Sequence, residues 1–444
     1  MSLEELKQKL KSAGIAGAGG AGFPAYAKIS DKADTIILNC AECEPLLTLH
    51  KQLLAEYAFE ILSALSLIAD TTGAKQVIIA IKKHYKDAIY AVKAVLDRFE
   101  KMKISYLPEV YPAGDEIITI YETTGRVVPP GSIPISVGVT VFNVETLWNI
   151  YQAVFENKPV THKYVTISGA VHTPKTVKAP LGMQFSELIK LAGGATIENY
   201  SIISGGPMMG NLVNPIDTVT KTTNAILVFP ENHPVVERKR TRISLSLKRA
   251  MGTCCQCRAC TTTCPRNLLG HPIEPHAFMR SATSGDTKKL EPFINTMFCS
   301  SCGLCELYSC PQGLSPRTLI TEYKLGLRAN GVQVPDKITT TTVDRNRAMK
   351  LVPLSRLTAR LGLTKYSKPA PLSSEETLPK KLRIYTRQNI GAPAKPIVTA
   401  GQSVSYGDVL AQEDKNALGL PLHCPVNGKV IDANEQFIMI QCHK

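Results

Sequence analysis

Apolar positions in the first 157 residues follow two periods in alternation. Leu3 to Leu10 repeats its apolar residues at helical spacing and breaks near Gly14. Thr35–Asn39, Gln76–Ile81 and Val137–Asn143 are apolar runs of strand length. Leu46–Ala69, Tyr85–Phe99 and Val144–Phe155 carry the longer helical pattern. Strands alternating with helices predict a Rossmann-like α/β domain over residues 1–157, built on a largely parallel sheet.

Beyond residue 160 the pattern shortens. Tyr164–Val171 alternates as a strand, Phe185–Leu191 reads as a short helix stopped by Gly193-Gly194, and Ser201–Ser204 and Ala225–Phe229 read as strands. A small β-grasp unit with one packed helix is expected over 160–230. Helical segments around paired cysteine runs predict an α-helical domain over 238–335. Residues 366–381, rich in Pro, Ser, Glu and Lys, read as a flexible linker. From 382 to 444, short strands punctuated by Gly391, Gly401, Gly407, Gly419 and Gly428 predict a barrel-like sandwich.

Composition fits this multi-domain α/β picture: 444 residues, 44% hydrophobic and 20% charged. The longest apolar candidate, Ile61–Ala69, falls short of the roughly 18 residues that cross a bilayer. The start, Met1-Ser2-Leu3-Glu4-Glu5, is acidic and amphipathic, unlike a secretory signal. A cytoplasmic protein without direct membrane insertion is expected. The basic stretch Arg238-Lys239-Arg240, Arg242, Lys248-Arg249 allows two readings, a nucleic-acid contact or a solvated lead-in helix. It lacks interleaved aromatic residues, which favours the second and an expectation of no nucleic-acid partner.

Eight of the 13 cysteines fall into two ferredoxin-type runs, Cys254-x2-Cys257-x2-Cys260-x3-Cys264-Pro265 and Cys299-x2-Cys302-x2-Cys305-x4-Cys310-Pro311. Three thiolates on one tight loop and a fourth after a short spacer suit a [4Fe–4S] cubane, which needs four soft ligands. Zinc also uses C-x2-C pairs and is the alternative. In two-cluster ferredoxins the fourth cysteine serves the other cluster. One set would therefore be Cys254, Cys257, Cys260 and Cys310, and the other Cys299, Cys302, Cys305 and Cys264. Cys40, Cys43, Cys255, Cys424 and Cys442 remain, an odd number without framework spacing that points to a reducing compartment. The formal charge of +14 falls to roughly +8 once two anionic clusters and a flavin phosphate are counted. Arg258 lies within the first run and Arg266 just after it, where they either raise a cluster's potential or point to solvent.

Gly17-Ala18-Gly19-Gly20-Ala21-Gly22-Phe23-Pro24, followed by Lys28, is a second chemical signal. Clustered glycines let backbone N–H groups approach a phosphate closely, and Lys28 adds a full charge. Three further segments sit at strand-to-helix junctions, where open α/β sheets hold ligands: Asn39-Cys40-Ala41-Glu42-Cys43-Glu44-Pro45, Tyr111-Pro112-Ala113-Gly114-Asp115-Glu116 and Phe142-Asn143-Val144-Glu145-Thr146.

Together these segments resemble the flavin-bearing, NADH-oxidising subunit of respiratory complex I, and more closely the C subunit of Rnf complexes and its soluble relatives. The resemblance covers essentially the whole chain. It implies an FMN domain, a β-grasp domain of the soluble-ligand-binding type, a two-cluster ferredoxin domain and a C-terminal barrel-sandwich hybrid. By it, Gly17, Gly19, Gly20 and Lys28 hold the FMN phosphate, and Asn39, Gly114, Asp115, Asn143 and Thr146 surround the ribityl chain and ring. Phe23, Glu44 and Glu116 would face NADH, although Glu44 and Glu116 also suit plain helix N-terminal charges. The complex I subunit has an acidic residue where this chain has Ala41, so that flavin contact does not carry over.

The C-terminal segments Gly407–Ala411 and Cys424–Gly428 resemble the strands flanking the hairpin of lipoyl and biotinyl carriers. The modified-lysine position falls at Ala417, two residues from which a Lys stands at 415, so a docking role is expected and not a carried group. The module order is similar to the cobalamin reductases of propanediol-utilisation microcompartments. That implies an enzyme passing electrons from NADH through FMN and two [4Fe–4S] clusters to a corrinoid or a redox protein, with the interior of a bacterial microcompartment as one location. The alternative is a relay and docking subunit of an Rnf-like complex.

Overall fold

The computed structural model describes residues 1–334, 341–375, 378–414 and 416–443. Helix α1 (Leu3–Ser12) is started by a capping box between Ser2 and Glu5 and buries Leu6 and Leu10. Then follow β1 (Thr35–Cys40), α2 (Leu49–Glu56), α3 (Ala58–Thr72), β2 (Gln76–Lys82), α4 (Lys86–Val95), β3 (Met102–Leu107), β4 (Val110–Tyr111), α5 (Glu116–Thr124), β5 (Val139–Asn143) and α6 (Val144–Phe155). The main sheet has the order β3-β2-β1-β5, with every pairing parallel. Successive strands step away from β1 on one side, and β5 then returns to its other side. The carboxyl ends of β1 and β5 therefore flank the switch point of the sheet, where Asn39 pairs in register with Asn143.

The single helix expected over Leu46–Ala69 is two helices meeting at 92°. Tyr57 at the break leaves the helical region and stacks on Trp148 of α6, with ring centroids 4.0 Å apart. Apolar periodicity runs on through the bend because both helices bury their apolar faces in one core. Strand β3 lies at the sheet edge and is only partly buried, so its apolar signal is weak. Among the described residues no single helix is long and apolar enough to cross a membrane.

The β-grasp unit comprises β6 (His162–Gly169), β7 (Lys175–Pro180), α7 (Phe185–Leu191), β8 (Tyr200–Ser204), β9 (Asn211–Val213) and β10 (Ala225–Pro230). Its sheet order is β7-β6-β10-β8-β9, with β6 and β10 parallel at the centre. A buried ion pair between Glu145 of α6 and Lys163 of β6 ties this unit to the flavin-type domain, both side chains being 1% exposed. Glu145 also accepts from the Tyr164 amide at 2.9 Å.

Helices α8 (Pro234–Arg240) and α9 (Ile243–Thr253) lead into the cysteine-rich domain. The basic residues of α8 are engaged within the fold. Arg238 donates to the Glu306 carbonyl at 2.6 Å, Lys239 to the Gly210 carbonyl at 2.5 Å, and Arg240 to Ser201 Oγ at 2.7 Å. The cysteine-rich domain packs short helices against Pro275–Ser284 and Pro316–Ala329. Val352–Pro353, which carried no sequence signal, pairs antiparallel with β4 and brings the chain back to the flavin-type domain.

The stretch read as a flexible linker is anchored over its described first half. The Ala370 carbonyl accepts from Thr48, Gln52 and Thr176 side chains, and the Ser373 amide donates to the Thr176 carbonyl at 2.8 Å. Residues 376 and 377 of that stretch lie outside the described residues. The C-terminal module is two small facing sheets, one of Lys381–Tyr385, Phe437–Cys442, Gly428–Ala433 and Ser403–Val404, the other of Lys395–Pro396, Val409–Gln412 and Leu422–His423. Ala417 lies exposed between the last two strands. The lysine at 415 lies outside the described residues.

Candidate flavin and cluster sites

The glycine loop sits over the switch point. Its base is closed by Gly17, whose amide donates to the Phe23 carbonyl at 2.8 Å. Gly19 and Gly20 are exposed at its crest, and Gly20 has φ +111°, which other residues rarely adopt. A Cβ on Gly19 would collide with the Asn143 side chain. The loop is held to the first turn of α6 by the Ala18 amide, which donates to Thr146 Oγ1 at 3.0 Å. An exposed glycine crest over the start of a 12-residue helix fits a phosphate, through backbone N–H groups and the helix dipole.

The opposite wall comes from β1 and the turn before α5. Asn39 Nδ2 donates to the Gly114 carbonyl at 2.9 Å, while its Oδ1 accepts from the Ala41 amide at 3.0 Å. A side chain at Gly114 would strike the Ala41 carbonyl. With Ala41 in that place, the wall contributes backbone and not a carboxylate. Asp115 caps α5, its Oδ1 accepting from Ile117 and Ile118 amides. Lys28 Nζ lies 2.7 Å from Glu116 Oε1 and 3.2 Å from the Val141 carbonyl. Phe23 is half-buried beside the loop. The residues present thus fit a flavin phosphate at the glycine crest and a planar ring between two backbone walls.

Glu44 is placed differently from the expectation of a free NADH-facing carboxylate. Its two oxygens accept from the Met208 and Met209 amides of the β-grasp unit, each at 2.9 Å. Burial pushes its carboxyl above the usual range, against the pull of those amides and of Lys239. Glu44 joins two domains behind the cleft.

The cysteines gather in two separate cavities. Cys254, Cys257, Cys260 and Cys310 line one, together with Cys255, Arg258, His276 and Leu314. Cys264, Cys299, Cys302 and Cys305 line the other, with Arg266, Arg317 and Ile320. Each cavity therefore mixes three cysteines of one run with the fourth of the other. Among the described residues no group of three His, Cys, Asp or Glu side chains is close enough to hold a single metal ion. Amide N–H groups of Ser301 and Leu314 point at Cys299 and Cys310 sulfurs, each at 3.3 Å. Burial pushes the Cys260 thiol up to about 12 and the Cys264 thiol up to about 11, and ligation of a metal would favour their thiolate forms. Arg258 points outward, 63% exposed, toward Glu274.

Two contacts tie the second cavity to the flavin wall. Tyr111 Oη donates to the Cys302 carbonyl at 2.6 Å, and Arg266, two residues after Cys264, holds Asp115 Oδ2 at 2.8 Å with both side chains largely buried. Sequence alone places Arg266 near a cluster but gives no sign of its partner. The first cavity lies on the outer side, where Cys255 and Cys257 are exposed.

Four family models match successive segments: the Nuo51 FMN-binding domain over residues 10–152, the SLBB domain over 164–212, a 4Fe-4S dicluster domain over 253–315 and the RnfC barrel sandwich hybrid domain over 363–442. The chain is 39% identical to cobalamin reductase PduS of Salmonella typhimurium over 441 residues, which is 99% of this chain and 97% of that protein. PduS of Citrobacter freundii is 39% identical over 98% of this chain and 96% of its own. The C subunit of the ion-translocating oxidoreductase complex of Edwardsiella ictaluri is 34% identical over 61% of this chain and 33% of its own. Among solved structures, an NAD+-reducing [NiFe]-hydrogenase in the H2-reduced state shares the fold with a TM-score of 0.50 at 20% identity, over 76% of this chain and 64% of the hydrogenase chain.

Proposed function

This chain belongs to the cobalamin reductase family that includes the PduS proteins, and on that premise we propose that it passes electrons from NADH through FMN and two [4Fe–4S] clusters to a corrinoid. It is a flavin and iron–sulfur oxidoreductase. Bound cofactors of this kind turn a two-electron donor into single-electron delivery, with the protein supplying position and electrostatics.

The observation that carries the reading is the double tie between the flavin wall and one cysteine cavity. Tyr111 and Asp115 both belong to the segment that borders the flavin cleft, and their partners are the Cys302 carbonyl and Arg266, two residues after Cys264. This favours the Cys264, Cys299, Cys302 and Cys305 set as the cluster nearer the flavin. The Cys254, Cys257, Cys260 and Cys310 set, with its exposed Cys257, then serves as the exit toward the acceptor. Lys28, Gly17, Gly19, Gly20 and Thr146 hold the phosphate end of FMN in this reading, and Asn39, Gly114, Asp115 and Asn143 border its ring. We assign Phe23 and Glu116 to the open, NADH side and Glu44 to the wall behind it.

Anaerobic purification followed by flavin and iron analysis tests the reading. About one FMN and eight irons per chain, with both clusters reduced by NADH in electron paramagnetic resonance, are expected. A preparation holding FMN whose clusters ignore NADH would overturn the proposed donor.

A further inference from the structure

The glycine loop is pinned at both ends by parts of the chain distant in sequence. At its start, the Gly14 carbonyl accepts from Lys221 Nζ at 2.7 Å, and the same ammonium donates to the Pro421 carbonyl of the C-terminal module at 2.9 Å. At its far end, the Gly22 carbonyl accepts from the Ile390 amide, also of that module, at 2.9 Å. Gly22 has φ +69°, and a Cβ there would press on Thr222 Cγ2 at 2.9 Å and Asn389 Cα at 3.4 Å. The Lys221 amide donates to Gln388 Oε1 at 3.0 Å, and Lys11 reaches Glu413 at 3.2 Å. Three domains thus converge on one lysine.

We propose that the C-terminal module is an intramolecular clamp on the flavin loop, with Lys221 as the positioning residue that joins the two. The role deepens the flavin reading given above and rests on it. Lys221 is 2% exposed and, among the described residues, has carbonyl partners but no carboxylate. Burial alone lowers its pKa to about 7. His423 Nδ1, on the C-terminal module, is buried without a partner among the described residues and stands close to the same point beside Gly14. Such a costly arrangement contributes little to fold stability. What it does fix is the distance between Gly14 and the module, and with it the position of the glycine crest between two anchored ends. Pre-set crest amides meet a phosphate without first losing loop freedom, which tightens binding.

The test compares full-length wild type with Lys221→Met and, as a milder change, Gln388→Leu. FMN release is followed by flavin fluorescence, and amide hydrogen exchange is followed over residues 14–24 with and without FMN. Lys221→Met should weaken FMN binding at least about tenfold, and Gln388→Leu less. Faster exchange confined to 14–24 is expected, with iron content and cluster resonance spectra unchanged. A merely structural lysine would lower cluster content and exchange protection together. FMN affinity within about twofold of wild type in both variants, with unaltered exchange at 14–24, overturns the clamp. If wild type binds no FMN, the flavin reading fails, while exchange in the flavin-free chain still decides whether Lys221 pins the loop.

Discussion

At the scale of single residues, the chemistry rests on sulfurs and one lysine. Cys264 belongs by sequence to the first run, yet it lines the cavity of Cys299, Cys302 and Cys305. Cys264→Ala should therefore destroy or convert that cluster and leave the Cys254 set intact. Electron paramagnetic resonance separates the two outcomes, and loss confined to the Cys254 set would refute the exchange of ligands. Lys28 lies 2.7 Å from Glu116, so Lys28→Ala would remove the cation proposed for the phosphate and leave Glu116 without its ion-pair partner. FMN affinity should fall about tenfold or more, measured by fluorescence titration of the flavin-free protein. These residues are legible in the sequence because clusters and phosphates demand several ligands from short, patterned loops. The roles of Arg266 and Lys221 are not: their partners lie 151 and 207 residues away, and no local period records such a contact.

At the scale of elements, the sheet order makes the site. Strands β1 and β5 bring Asn39 and Asn143 into register, and α6 starts directly from β5 beneath the glycine loop. Alternating apolar runs reveal these strands because both faces of the sheet are covered. The break between α2 and α3 is invisible in the sequence for a related reason. Buried helices keep their apolar period through a bend, so only the tertiary stack of Tyr57 on Trp148 marks it. Helix α6 and strand β6 are locked by Glu145 and Lys163. Lys163→Met would strand a carboxylate in the core, at a cost of about 3–5 kcal/mol. Urea unfolding should show a lower midpoint for this variant, whereas Glu145→Gln with Lys163→Met should recover part of the loss. An unchanged midpoint in the single variant would mean that the pair contributes nothing to domain docking.

At the scale of the whole molecule, four modules in a fixed order form an electron path with a cap. One cysteine cavity is tied to the wall of the flavin-type domain, and the other carries the exposed Cys255 and Cys257. The β-grasp unit and C-terminal module, to which no cofactor ligand is assigned, brace the flavin loop and Glu44. Linear order of the modules is readable from composition and turn residues. Their packing is not, since Tyr111, Lys239 and Ile390 reach other domains through one or two hydrogen bonds each. The central claim is that electrons entering from NADH leave to a corrinoid. Its most direct test is anaerobic absorbance spectroscopy of the purified holo-protein, with NADH as the only donor and cob(III)alamin as the only acceptor. Catalytic, NADH-dependent reduction of the corrinoid, abolished in Cys264→Ala, is the predicted result. Rapid reduction of artificial acceptors while cob(III)alamin stays untouched would contradict it.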